Sequence, residues 1–368
     1  MSEPIALFKP VVSDSAIEAV GAVLRSGWLG TGPVTAEFES AFARYCGSNY
    51  CVGTSSGTDA LLLALEIAGV QGREVITPAL TYVATAGAIV HAGGVPVFAD
   101  IDVHTGNLDP ASVTSRVSER TAAIMVVHYA GLPADLDELR AIASSSGLRV
   151  IEDCAHAVGA TYKGRRIGGG GDLHAFSLHA TKNLTAGAGG ALLTDDADDS
   201  ARARRLRSHG VDRESFERVS AGGPVWDYEV SEIGHGCAMT DVPAALALAQ
   251  LTRLDAENGR RAEIAGLYRD RLAGVDGLRL LDVPADRKGN DHLFVILAEQ
   301  RDTLIDKLAA SDITAGVHYR RIDSHSAFES ADLPATEWFW RRAVSLPMHL
   351  ALSDGDVERV CAVIGGGW

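Results

Sequence analysis

Positive charge is scarce in this sequence. The 33 lysines and arginines stand against 48 aspartates and glutamates, for a formal net charge of −15. Such a chain has little electrostatic grip on nucleic acid or anionic lipid, although a local basic pocket could still take a small anionic substrate. Long apolar runs are missing as well. The longest, LLLALEIAGV, is interrupted by Glu66 and falls short of the roughly 18 residues a membrane span needs, so no membrane partner is expected. Cysteine is sparse and unpatterned: Cys46, Cys51, Cys154, Cys237 and Cys361 are odd in number and show neither CxxC nor zinc-ligand spacing. They read as reduced thiols, with no metal site expected. The N-terminal MSEPIALFKP has no basic segment followed by an apolar run, so no secretory leader is expected and the location expected is cytoplasmic. There is no internal repeat, low-complexity tract or proline-rich linker.

At 368 residues, 46% hydrophobic and 22% charged, the chain has the composition of a soluble globular protein with a large core. From about residue 50 to 195, strand-like runs (EVITPAL, VPVFADID, TAAIMVVHYA, LRVIEDCAH, GGALLTDD) alternate with helical patterns (TDALLLALEIAG, TAGAIVHAGG, ADLDELRAIASSSG). The alternation predicts an α/β fold: a large, mostly parallel sheet with helices on both faces. Residues 200–235 are charged and irregular, which suggests a helix and then an excursion from the core. The segment DVPAALALAQLTRLDAENGRRAEIAGLYRDRL then reads as one long helix that Gly259 could bend. In the last hundred residues, LFVIL and GVHYR look like strands and RDTLIDKLAASDI and SDGDVERVCAVIG like helices. Ser353 and Asp356 resemble a capping box, and the terminal GGGW reads as a frayed tail. The expected division is a large domain over 1–245 and a smaller α+β domain over 246–368.

Four short stretches carry chemistry. FSLHATKNLTAGAGG sets Lys182 among small and glycine residues after a β-like run; alone, a solvated loop lysine would account for it. IEDCAHA places Asp153 at the carboxyl end of a buried strand, where open α/β sheets bind ligands. A carboxylate there needs a positive partner, either an arginine, a helix start or a protonated pyridine nitrogen. GTSSGTDALLLALEIAG sets Ser56, Gly57 and Thr58 before an apolar helix, which suits a phosphate and equally suits ordinary capping. No stretch has the P-loop lysine, and neither GIGGGGD nor GAGG fits GxGxxG, which weighs against nucleotide hydrolysis and dinucleotide binding. In PALTYVATA, Tyr82 follows a strand among small residues, so its ring could cover something planar or simply lie at the rim. Together they point to pyridoxal 5′-phosphate (PLP): a phosphate cradle, an acid for the ring nitrogen, a stacking plate and a lysine for the Schiff base.

GTSSGTDALLLAL, TPALTYVATAGAIVHAGGVPVFADID, VIEDCAHAVGATYKG, FSLHATKNLTAGAGGALLTDD and AVSLPMH resemble the DegT/DnrJ/EryC1/StrS family over nearly the whole chain. The resemblance implies a PLP-dependent aminotransferase of the type I fold, acting mostly on nucleotide-linked keto sugars, with a branch acting on keto-cyclitols. By position, Lys182 matches the cofactor lysine and Asp153 the partner of the pyridine nitrogen. His156 matches a contact of the ring hydroxyl, and Gly57, Thr58 and Ser177 match phosphate ligands. Tyr82 matches the stacking aromatic, and His179 the signature histidine that supports the lysine loop. The chain departs from the family at GHGCAMTD, residues 234–241, where many members read GYNYRMTD. The asparagine that reaches a partner's cofactor phosphate falls on Gly236 and the arginine on Ala238, and the glutamate of the usual GEGG is Ala188.

The reaction this implies is amino transfer from L-glutamate or L-glutamine to a keto sugar, most often a nucleotide-linked keto-deoxyhexose. A free keto-cyclitol is the alternative acceptor. A sugar dehydratase would carry histidine in place of Lys182, and a non-catalytic sensor would not need the intact lysine and acid. Candidate substrate contacts are Tyr129, His235, His318 and Tyr319, with Lys163 and Arg165 as cations for a diphosphate; each is as readily structural. The resemblance also implies a homodimer with its active sites at the subunit interface.

Overall fold

The computed structural model describes residues 3–220, 224 and 226–368. Seven strands form the main sheet: β1 (Tyr50–Thr54), β2 (Glu74–Pro78), β3 (Val95–Ala99), β4 (Thr121–Val127), β5 (Arg149–Asp153), β6 (Leu173–Ser177) and β7 (Gly190–Thr194). Their order across the sheet is β1-β7-β6-β5-β4-β2-β3. All run parallel except β7, which is antiparallel to both its neighbours. The expected α/β fold with a mostly parallel sheet is what forms.

Strand periodicity explains why helices cover both faces. On β4, Ile124 and Val126 join one apolar cluster, while Ala123 and Met125, pointing the other way, join a second. The first face is covered by α1 (Asp14–Ser26) at its margin and by α2 (Pro33–Cys46), α5 (Leu136–Ser146) and α7 (Asp241–Leu251). The second face takes α3 (Gly57–Ile67), α4 (Val83–His91) and α6 (Ala197–Arg207). With both faces buried, the strands read as near-continuous apolar runs rather than alternating ones.

A second, antiparallel sheet in the order β8-β9-β10 is built from β8 (Leu278–Leu280), β9 (Phe294–Ala298) and β10 (Ala343–Leu346). It packs on α8 (Leu254–Leu272), α9 (Arg301–Ala310) and α10 (Asp354–Gly365) through Tyr268, Phe294, Leu304, Val344 and Val360. A further cluster, with Leu80, Ile101 and Tyr129 facing Leu293, Val295 and Phe339, joins this layer to the main sheet.

Three local expectations change. The long helix after residue 240 is two, α7 and α8; the break falls at Arg253 (φ −107°, ψ −9°), not at Gly259, which stays helical. A glycine inside a helix costs only about 1 kcal/mol, well within what packing of α8 offsets. GVHYR forms a single bridge, with Gly316 and Ser345 exchanging N–H···O bonds of 3.0 and 2.7 Å, and then leaves the ladder. The GGGW end is not frayed: Trp368 packs against the smaller core, and Lys307 donates to the Gly367 carbonyl. The capping box does form, with Asp356 N–H donating to Ser353 Oγ (3.1 Å) and Ser353 N–H to Asp356 Oδ2 (3.0 Å).

Candidate active site

Strand register brings the chemistry to one end of the sheet. Val127 pairs with Asp153, Asp153 with Ala175, Ser177 with Gly190, and Gly190 with Thr54. The carboxyl ends of β4, β5 and β6 therefore lie side by side, with that of β1 across the amino end of β7, and the loops leaving them close over a cavity of about 450 Å³. Ser56, Gly57, Thr58, Tyr82, Asp153, His156, Ser177, Lys182, His318 and Tyr319 all line it.

Asp153 is 6% exposed, and burial pushes its carboxyl above the usual range. Two donors hold the charged form: Thr85 Oγ1 to Oδ2 at 2.8 Å and Ala155 N–H to Oδ1 at 3.1 Å. Thr85 is steadied in turn by Thr81, 2.7 Å away. Lys182 sits in a tight turn whose N–H donates to the His179 carbonyl (2.9 Å). Burial pulls its amine down to about 8, with the attraction of Asp153 opposing. An amine so placed is partly neutral near physiological pH, as a nucleophile or proton carrier must be.

The opposite wall is the start of α3. Ser56 caps it, accepting from Asp59 N–H at 3.1 Å, but donates its own proton to Asp59 Oδ2 (2.7 Å). That leaves the N–H groups of Gly57 and Thr58, which have no intrahelical acceptor, beside the Ser177 hydroxyl as the anion-binding set. A Cβ built on Gly57 would stand 2.7 Å from Ser177 Cβ, and one on Gly190 would stand 2.2 Å from the Ser56 carbonyl oxygen. Only glycine lets these segments close together.

His156 bridges to the rim, its Nε2 3.0 Å from the Tyr319 hydroxyl. Its Nδ1 is buried and has no hydrogen-bond partner among the described residues, and burial holds the ring neutral. Tyr82, the N-cap of α4, is 58% exposed, and its ring centroid lies 5.9 Å from that of Tyr319. The residues fit PLP: a buried carboxylate with no ion-pair partner among the described residues, a ring nitrogen on the wall without a hydrogen-bond partner among them, a glycine-defined anion cradle and a partly neutral lysine face one space.

Some candidates do not line this cavity within the chain. Tyr129 is 1% exposed in the cluster between the two sheets, and its hydroxyl donates to the His318 carbonyl, so it braces the His318–Tyr319 segment from behind. His235 pairs with Glu66 at 2.7 Å, near the far end of α3, about 14 Å of helix from Gly57. Lys163 and Arg165 belong to a hairpin on another face, where Lys163 meets Asp137. His179, unlike these, does line the cavity, exposed and with Nδ1 3.2 Å from Thr181 Oγ1. Sequence reasoning missed Thr85, Thr181 and Phe8, which also line the site. A threonine in the first turn of the helix after Tyr82 was the one available signal; Phe8 comes from a segment with no motif. At the departing segment, a side chain on Gly236 would stand 2.7 Å from the His209 ring, and Ala238 bridges Thr54.

The spore coat polysaccharide biosynthesis protein SpsC of Bacillus subtilis is 40% identical to this chain, covering 96% of this chain and 95% of SpsC. Among solved structures, AtS13 from Actinomadura melliaura superposes with a TM-score of 0.93 at 38% identity, over 100% of both chains. DesV of S. venezuelae, solved in complex with a ketimine intermediate, gives 0.92 at 34% identity, over 99% of this chain and 98% of that one. The DegT/DnrJ/EryC1/StrS aminotransferase family matches residues 10–365. This chain therefore belongs to the DegT/DnrJ/EryC1/StrS family and is a PLP-dependent aminotransferase.

Proposed function

We propose that the chain moves an amino group from L-glutamate or L-glutamine to a keto sugar, a nucleotide-linked keto-deoxyhexose of amino-sugar, antibiotic or cell-surface glycan synthesis. The observation that carries this reading is Lys182, a partly neutral amine in the same cavity as the buried Asp153. PLP, when bound, supplies an aldehyde and an electron-withdrawing ring. In this reading Asp153 faces the ring nitrogen and keeps it protonated, and Thr85 holds Asp153 ionised. Gly57, Thr58 and Ser177 hold the phosphate, His156 meets the ring substituent, and Tyr82 covers one ring face. Lys182 would hold the aldehyde of the bound cofactor and, once released, take up and give back a proton at its Nζ. His318 and Tyr319 form the wall toward the acceptor.

The polysaccharide role in the name of SpsC supports a sugar acceptor. Arg320, beside Tyr319 and bonded through its guanidinium only to Ser324 among the described residues, supports a charged diphosphate tail. One observation favours a free keto-cyclitol instead: among the described lining residues Lys182 is the cavity's only lysine or arginine. Loading the protein with PLP, converting it with L-glutamate to the amine form, and offering nucleotide-linked keto sugars beside free keto-cyclitols separates the two. Return of the aldehyde absorbance with cyclitols alone would overturn the preferred acceptor.

The same proposal includes a homodimer whose sites lie between subunits, a cytoplasmic location, and a division into domains 1–245 and 246–368. Exposed Trp226 (77%) and Ile233 (88%) on the excursion support the first. The five cysteines, all buried and unpaired, support a reducing compartment. No helix of the described residues is long and apolar enough to cross a membrane.

A further inference from the structure

A second, much smaller cavity of about 30 Å³ lies against the lysine loop and shares Phe8, Thr181 and Lys182 with the large one. Its wall holds Arg261 of α8, a residue only 8% exposed. The Nη1 of Arg261 is buried without a hydrogen-bond partner, and among the described residues no carboxylate comes within ion-pair distance of its guanidinium. Glu257, one turn earlier on α8, also lines this space and attracts Arg261, but its carboxylate lies beyond ion-pair distance of that guanidinium and meets Arg253 at 3.3 Å. Lys9 and His349 line the same space. His349 Nε2 is engaged with the Ala6 carbonyl (3.1 Å), while its Nδ1 is buried and unpartnered. A buried guanidinium whose one nearby carboxylate is shared with Arg253 remains costly, and an anionic ligand would offset that cost. The space admits a carboxylate head or one or two waters and is too small for a sugar ring.

We propose that Arg261, assisted by Lys9, forms a subsite for a carboxylate of the amino donor, reached from the main cavity past Lys182. Both L-glutamate and L-glutamine present such a group, and a keto sugar does not, so the subsite distinguishes donor from acceptor in a cavity both must use. The inference rests on the amino-transfer reading.

The PLP-loaded holoenzyme titrated calorimetrically with glutarate, a dicarboxylate with no amine to react, tests it. Arg261→Gln is expected to weaken glutarate at least tenfold, Arg261→Lys to restore affinity to within about threefold of the wild type, and Lys9→Gln to weaken it about threefold. The KM for L-glutamate should rise with the glutarate constant, while the rate of the acceptor half-reaction from the amine form holds. Arg261→Gln that folds and binds glutarate like the wild type overturns the subsite. So does wild-type holoenzyme that binds glutarate no better than the neutral glutaric diamide, a comparison needing no variant. Amino transfer is read separately, by loss of the aldehyde absorbance with L-glutamate. Glutarate binding through Arg261 without amino transfer from any donor would remove the proposed reaction and leave the subsite standing.

Discussion

Gly57 and Ser177 meet so closely that a methyl group added to the first would lie 2.7 Å from the Cβ of the second. One opens α3 and the other ends β6, so the contact sets how near the free N–H groups come to the serine hydroxyl. Gly57→Ala must push these segments apart, and overpacking of this kind costs about 1–3 kcal/mol. If the space between them holds the cofactor phosphate, the variant should bind PLP about tenfold or more weakly, with little loss of secondary structure. A fluorescence titration of cofactor-free protein reads this directly. Unchanged affinity would place the phosphate elsewhere.

Thr85 donates to Asp153 and to no ligand in the proposed scheme, so its effect should pass through the acid. Thr85→Val removes a hydrogen bond to a charged group, worth about 1.5–3 kcal/mol, and lets burial raise the carboxyl further. The expected result is a loss of about tenfold in the rate of conversion by L-glutamate. Asp153→Asn should lose on the order of 10²–10³-fold, the scale of removing one electrostatic contact in an active site. In the Asp153→Asn background, Thr85→Val should cost almost nothing more. Independent losses in the double variant would mean that Thr85 acts directly on substrate.

Much of this site was legible because strand ends are. Apolar runs with both faces buried gave the strands, and the carboxyl ends of β5 and β6 put Asp153 and Ser177 where α/β ligands bind. What the sequence could not supply was direction across the fold. Tyr129 follows β4 as closely as Asp153 ends β5, yet the 3-10 turn Tyr129–Gly131 carries it back between the two sheets. His235 lies in GHGCAMTD, where the sequence offers a substrate contact, but that segment packs against the end of α6 and His235 meets Glu66. The break at Arg253 and the anchoring of Trp368 depend on packing partners distant in sequence, which local propensity does not encode.

The proposed dimer turns on the excursion after α6. Buried Arg207 anchors its root, bonding Glu39, the Gly53 carbonyl and Glu214, while Ile233 near its far end is 88% exposed. A large apolar side chain so exposed suits a partner surface. Ile233→Glu should raise the dimer dissociation constant about tenfold or more by analytical ultracentrifugation, leaving monomer stability within about 0.5 kcal/mol. A wild type that sediments as a monomer at micromolar concentration would remove the dimer outright.

The buried amine of Lys182 should make the cofactor-free protein less stable than a variant lacking its central catalytic group. Burial brings its pKa down to about 8 in the folded chain, against 10.5 for an ordinary lysine. Below pH 8 the amine is charged in both states, and the folded state bears the full cost of burying that charge, on the order of 3 kcal/mol. Between 8 and 10.5 the folded state has released a proton that the unfolded state still holds, so stability rises with pH. Above 10.5 both are neutral and the cost is gone. Lys182→Met, close in length and uncharged, should therefore be the more stable protein at pH 7 by about that figure, in which the attraction of Asp153 is already contained. The gap should close as pH approaches 10.5. Denaturant unfolding of both proteins from pH 7 to 10.5 measures it, with the difference cancelling groups common to the two. A constant gap would mean that Lys182 is not buried as a charge, and that the partly neutral amine on which the proton-carrying role depends does not exist.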